Sequence, residues 1–467
     1  MSFVFYDTET TGIDTSFDQV LQFAAIRTDA DLNELDRFEI RCRLHGHMAP
    51  SPGAMRVTGV TVAQLTDPAL PSHYQMVRAI RDKLLSWSPA VFAGYNSMDF
   101  DEALLRQALY QTLHPPYLTQ SKGNCRADVL ELTQCTALFS PHVLTIPTGD
   151  KGKPIFKLDR VAPANGFNHE NAHDALADVE ATIHLCRLIR DGAPDAWSNF
   201  TRFAQKAAVI DFVTEESAFL LTEHFFNKPC PYVVSLIEFD EEQSSLAYVW
   251  DLGTDLQVLS TLDDKKLATK LKGSPKPIRR LKTNNAPQLM HLDDIPEHLH
   301  GRLPSREMVE VQLAWLSSNK DFVAHALAVY RSVQKEYEPA IHVEKMIYNG
   351  FLESSDTALL EEFHRAPWGD RDAILGRLSD ERYKVLGRRL IYAERPDALP
   401  PEARGELEAE FAIRLRGTAE GGEPWLTLPE ALLQTNDLLQ AATGDERTLL
   451  SELAEYLTER LEALSPC

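Results

Sequence analysis

Over its first 190 or so residues the chain alternates short apolar runs with amphipathic ones, and this interleaving restricts its fold more than any other feature. Segments 2–6, 20–26 and 37–42 are short, apolar and bounded by polar turns, which predicts strands. Segments 74–87, 100–110, 127–138 and 174–190 carry helical periodicity, and 90–93 is a brief apolar run suited to a buried strand. Elements in this order predict an α/β domain built on a mixed sheet. Further on, 197–212 reads as helical, followed by strand-like segments at 232–238, 246–251, 257–260 and 287–291, separated by Gly, Pro and Asn turns. From about residue 305 the pattern is helical (306–316, 321–333 and then 359–464), interrupted near 395–401.

At 467 residues the chain outgrows a single hydrophobic core, and the pattern divides it at 1–192, 193–342 and 343–467. No apolar run approaches the roughly 20 residues of a membrane span. The N-terminus enters a strand-like run with no basic leader or cleavage site before it, which argues against secretion. The six cysteines, Cys42, Cys125, Cys135, Cys186, Cys230 and Cys467, form no CxxC pair, so neither a zinc site nor a disulfide framework is indicated, and a cytoplasmic location is expected. A formal charge of −22 argues against a protein that coats nucleic acid indiscriminately, yet leaves room for a local basic surface. Segment 265–282 is such a candidate: it holds Lys265, Lys266, Lys270, Lys272, Lys276, Arg279, Arg280 and Lys282 and no acid. It reads either as a solvated loop between two strands or as a surface lining a DNA path or receiving an acidic tail.

Three short motifs carry the chemistry. In the first, Asp7 and Glu9 stand two apart at the end of a predicted strand, so both carboxylates leave the same face. Two carboxylates held that close repel unless a cation lies between them, and hard divalent ions prefer oxygen ligands. In the second, Asp99 and Asp101 straddle the start of a predicted helix; Asp99 suits the cap, which leaves Asp101 available. In the third, His173 and Asp178 are five apart, roughly 140° around a helix, so both cannot point the same way from one helix. This predicts that His173 stands in the preceding loop, Asp174 caps the helix and Asp178 projects from it. Singly, each motif also fits a surface acid, a cap or an ordinary surface histidine.

Together, an acidic pair, an acid about 90 residues later and an HxxxxD motif about 70 residues beyond that resemble the DEDD exonuclease superfamily, histidine-type branch. The strings Phe23-Ala24-Ala25-Ile26, Pro52-Gly53-Ala54, Gly94-Tyr95-Asn96 and Ala164-Asn165-Gly166 are similar to the bacterial exonuclease I family, as is Tyr348-Asn349-Gly350-Phe351 far outside the nuclease region. The resemblance implies an RNase H-like exonuclease domain, an SH3-like β domain and a C-terminal α-helical domain enclosing single-stranded DNA. It implies processive 3′→5′ removal of nucleotides in DNA repair and recombination, by a monomer that binds the C-terminal tail of single-stranded DNA-binding protein. It also implies DNA contacts by Glu9, Arg106 and Lys157; at Lys157 a member of the family carries arginine, and lysine keeps the charge without the bidentate fork.

Such chemistry is two-metal hydrolysis yielding 5′-mononucleotides. Asp7, Glu9 and Asp178 are expected to hold one Mg²⁺, with a second ion bridged by Asp7 and supported by Asp101; Mn²⁺ is an expected substitute. His173 is suited to accept the proton of the attacking water near neutral pH. Two alternatives stay open: an RNA-trimming or proofreading exonuclease of the same superfamily, and a non-catalytic nucleic-acid-binding scaffold that kept the fold. Candidate stacking platforms are Phe156, Tyr232, Tyr248 and Trp250.

Overall fold

The computed structural model describes residues 2–168, 174–226, 228–334, 338–418 and 421–464. The first sheet is built from β1 (Phe3–Thr10), β2 (Val20–Thr28), β3 (Glu34–Arg41), β4 (Val91–Gly94) and β5 (Cys125–Asp128). Their spatial order is β3–β2–β1–β4–β5; β2 and β3 pair antiparallel, and β4 and β5 join on the parallel side. β1 is central because it is apolar on both faces. Phe3 and Phe5 enter one core with Ala24 and Ile26, whereas Val4 and Tyr6 enter the opposite one with Phe23 and Ala25. Helices Val129–Phe139 and Ala175–Gly192 close the first core, and His73–Trp87 and Asp101–Gln111 close the second. This is the mixed-sheet α/β domain expected from the alternation.

A second sheet comprises β6 (Phe219–Phe225), β7 (Lys228–Phe239), β8 (Leu246–Asp251), β9 (Ile278–Lys282) and β10 (Gln288–Met290), all antiparallel in the order β10–β6–β7–β8–β9. The small β domain is thus present, with several local corrections. Segment 257–260 is not a strand but part of the helix Leu256–Ser260, started by the Asp255 side chain accepting from the Val258 amide. Leu256 and Leu259 fill the core at i, i+3, a helical period that a short run disguises. The basic segment is not a loop: it forms the helix Asp264–Lys272, which buries Leu267 and Leu271, and then β9. The continuous helical pattern at 197–212 is two helices, Pro194–Phe203 and Lys206–Glu215. Strands β5, β6 and β9 escape the sequence pattern; β9 (Ile-Arg-Arg-Leu-Lys) reads as charged although Arg279 within it is buried.

The C-terminal region is helical, including Ser354–Arg365, Glu381–Glu394, Pro401–Arg416, Leu428–Leu439 and Gly444–Ala463, with the expected break occupied by a short turn at Pro396–Ala398. It packs directly on the nuclease domain. Tyr74, Tyr110 and Leu113 share a core with Phe363, Leu375 and Leu390, and Leu21, Met55 and Leu65 share another with Leu428, Leu453 and Leu457. The buried Glu344 lies between Arg389 (3.0 Å) and Arg414 (2.5 Å), and these two ion pairs anchor the segment that leads into Tyr348. No helix among the described residues is long and apolar enough to cross a membrane.

Candidate metal and nuclease site

The alternation of β1 delivers its carboxylates. Phe3, Phe5, Asp7 and Glu9 are successive odd positions, so Asp7 and Glu9 continue the face that the helix Ala175–Gly192 covers. That helix carries Asp178 in its first turn. One ligand oxygen from each of Asp7, Glu9 and Asp178 lies within 4.8 Å of the others, and no other such group occurs among the described residues. Glu9 is buried, and the other two acids are half-buried.

Crowding makes this cluster costly to ionise. Burial first, and then the charges of Asp101, Asp178 and Glu9, hold the Asp7 carboxyl well above its usual range. Burial, followed by Asp178 and Asp101, pushes Glu9 up to about 8, and the nearby Arg41 only partly offsets this. A donor set made only of carboxylate oxygens, mutually repelling and drawn together by two elements, fits a hard divalent cation.

Asp101 approaches from the other side. Thr8, an even position of β1, faces the helix Asp101–Gln111 and donates to the Asp101 carboxylate from its amide (3.0 Å) and its hydroxyl (2.6 Å). Burial pushes Asp101 up to about 7 against the pull of these hydrogen bonds. The structure therefore brings Asp101 to the same strand end without placing it in the close trio.

Asp99 is not the cap expected for this helix: Phe100 occupies that position and makes no side-chain cap hydrogen bond. The loop is instead held from outside, by Asp128 accepting from the amides of Asn96 and Met98 (both 3.0 Å). This explains the Gly94-Tyr95-Asn96 string. Asn96 takes φ +63°, a left-handed conformation that Asn tolerates, and a Cβ on Gly94 would lie 2.7 Å from the Tyr6 carbonyl oxygen. Asp174 is the helix cap, accepting from the Leu176 amide (3.2 Å) and pairing with Arg41 (2.7 Å). His173 lies outside the described residues.

The residues expected to contact DNA fare differently. Lys157 is exposed at the start of the helix Leu158–Ala164, and its neighbour's carbonyl (Phe156) accepts from the Tyr95 hydroxyl at 2.6 Å, tying that segment to the loop after β4. Arg106 is largely enclosed: it donates to Glu102 (2.7 Å) and Tyr348 (3.3 Å) and lies 5.1 Å over the Tyr117 ring. Of the proposed stacking aromatics, Phe156, Tyr248 and Trp250 are buried, and Tyr232 is covered by Arg279 at 3.2 Å. Arg279 is itself buried between Asp251 and Glu223, which removes it from any basic surface. Two aromatics close to Arg106 and Tyr117 are exposed instead, Tyr348 (64% exposed) and Phe351 (85%), the latter 5.8 Å from Tyr117. Sequence reasoning missed Thr8, Tyr6 and Glu102 as neighbours of the site; only the even register of β1 signalled the first two.

This geometry sits on a chain whose residues 4–186 match the exonuclease family model and whose residues 341–460 match the exonuclease I C-terminal domain. The chain belongs to the exonuclease I family. Exodeoxyribonuclease I of Escherichia coli K12 is 27% identical over 376 residues, covering 77% of this chain and 78% of that protein. The Haemophilus influenzae exodeoxyribonuclease I is 28% identical, covering 76% and 78%. Among solved structures, the moderately thermophilic exonuclease I of Methylocaldum szegediense superposes with a TM-score of 0.85 at 26% identity, over 98% of this chain and 99% of that one. E. coli exonuclease I in complex with a dA16 oligonucleotide gives a TM-score of 0.86 at 23% identity, over 98% and 99%, and shares the fold.

Proposed function

We propose that this chain is a 3′→5′ exonuclease that hydrolyses single-stranded DNA from its 3′ end to 5′-mononucleotides, in DNA repair and recombination. The observation that carries the reading is the Asp7–Glu9–Asp178 trio within 4.8 Å, in a chain that combines both segments of the exonuclease I family. The curated relatives are named exodeoxyribonuclease I, and a relative of the same fold was crystallised with a DNA oligonucleotide.

In this reading Asp7, Glu9 and Asp178 hold a divalent cation, by preference Mg²⁺ with Mn²⁺ as substitute, and Asp101 supports a second. The bound ions supply Lewis acidity and a nucleophilic water near neutral pH. Thr8 fixes the Asp101 carboxylate by two hydrogen bonds, so that acid keeps its place as charge builds at the scissile phosphate. Glu9 is assigned a contact with the terminal nucleotide as well, and His173 is assigned as the base that takes the proton from the attacking water. Arg106 and Lys157 orient the phosphate backbone. Tyr348 and Phe351, exposed beside Arg106, offer the stacking faces that single strands use.

The finer points of the reading are a monomer that binds the C-terminal tail of single-stranded DNA-binding protein and a cytoplasmic location. The five described cysteines are unpaired, which suits a reducing compartment. The test is a product assay on 3′- and 5′-labelled single-stranded DNA, duplex DNA and matched RNA, with and without Mg²⁺. Mononucleotides released from the 3′ end of single-stranded DNA only when metal is present are expected. Equal or faster degradation of RNA would replace this reading with RNA trimming.

A further inference from the structure

Among the buried acids that the mechanism leaves unused, one adjoins Asp101 in the chain. Glu102 follows Asp101, its side chain is 3% exposed, and it is outside the metal trio. Its Oε1 accepts from Arg106 (2.7 Å), Arg126 (3.2 Å) and the Thr119 hydroxyl (2.6 Å), and its Oε2 accepts from the Tyr6 hydroxyl (2.9 Å). These donors come from four places: its own helix, β5, the turn at Leu118–Gln120, and β1 one residue before Asp7. A buried carboxylate holding two guanidiniums is an expensive way to pack a core, and apolar side chains of the same volume often serve stability as well. Its place next to Asp101 points to a role beyond packing.

The charge count supplies one. Two guanidiniums converge on one carboxylate, and the next carboxylate along the chain is Asp101. If Glu102 carried no charge, Arg106 and Arg126 would be left as enclosed cations without that carboxylate partner, on the helix that begins at Asp101 and on the adjoining sheet, and their positive field would oppose a metal ion held at the strand end. We propose that Glu102 is a positioning residue of the nuclease site, which sequesters Arg106 and Arg126 so that Asp101 and the metal-holding acids stay available to the cation. Through Tyr6 it also ties β1 to the helix that carries Asp101. Because Arg106 donates to Tyr348 as well, the same knot connects the C-terminal domain to the metal site. The inference rests on the exonuclease reading above.

Mn²⁺ binding measured by calorimetry, without DNA or turnover, tests it alongside the Mn²⁺ dependence of mononucleotide release. Glu102→Gln keeps the shape and an acceptor oxygen but removes the charge. It should weaken Mn²⁺ binding and raise the half-saturating Mn²⁺ concentration by about tenfold, while kcat at saturating metal stays within about threefold of wild type. Arg126→Met leaves Glu102 facing one guanidinium and should shift Mn²⁺ affinity the opposite way, about threefold tighter. The double variant should return to within about twofold of wild type. A merely structural Glu102 would lower the melting temperature and leave Mn²⁺ affinity untouched, and that result overturns the proposal. Should Glu102→Gln fail to fold, unchanged or weaker Mn²⁺ binding by Arg126→Met overturns it equally. Wild-type protein that binds Mn²⁺ but releases no mononucleotides would refute the exonuclease reading instead, leaving the affinity comparison to stand by itself.

Discussion

Loading the acid cluster with a divalent ion should expel protons, because the metal-free site cannot keep all of its carboxyls ionised at neutral pH. Glu9 titrates at about 8 and Asp101 at about 7. At pH 7 the first retains roughly 0.9 of its proton and the second about half, and Asp7 adds up to one more, so binding should release between about 1.4 and 2.4 protons. Displacing the protons of Glu9 and Asp101 costs roughly 2 kcal/mol at pH 7 relative to pH 9, which weakens the apparent affinity about twentyfold. The assay is calorimetric titration with Mn²⁺ at pH 6.5, 7 and 8 in buffers of different ionisation enthalpy. Glu9→Gln should remove about one of the released protons. The folding linkage has the opposite sign from an ordinary ion pair. Both acids hold more protons folded than unfolded, so the metal-free protein should lose stability as pH rises from about 4 to 8, and metal should restore it. Binding that is independent of pH and releases no proton would falsify the picture of a crowded, partly protonated cluster.

Three further outcomes are expected. Asp178→Ala should abolish mononucleotide release while circular dichroism and melting stay near wild type; near-normal turnover would remove Asp178 from the site. Arg279→Met leaves Asp251 buried without its partner and should destabilise the small β domain by roughly 3–5 kcal/mol, read as a lowered thermal midpoint, and a loss below about 1 kcal/mol would show that the pairs with Asp251 and Glu223 are dispensable. Lys157→Ala should weaken single-stranded DNA binding equally across sequences and flatten the salt dependence of log K by about 0.7; an unchanged slope would mean that Lys157 meets no phosphate.

Much of the site was legible in the sequence because its signals are local. The spacing of two in Asp7 and Glu9 fixes a shared face on any strand, and Asp174 ahead of an apolar helical run fixes a cap. Four acids and a histidine in the right order identified the nuclease class, and Tyr348-Asn349-Gly350-Phe351 extended the resemblance beyond the nuclease domain. What escaped depends on contacts across the chain. Asp99 looked like a cap by position, but Asp128, some thirty residues on, holds that loop, so the helix begins without a side-chain cap. Residues 257–260 are too short for periodicity to separate strand from helix, and Asp255 decided it. Arg279 read as one of eight surface cations until β8 and Tyr232 enclosed it. The sequence by itself determined that Asp7 and Glu9 share a strand face and that Asp174 caps a helix, because alternation along a strand and a cap need no distant partner. Only the tertiary structure decided how Asp178 closes the trio, how Thr8 holds Asp101, and why Glu102 is buried beside them, since each depends on elements that meet from distant parts of the chain.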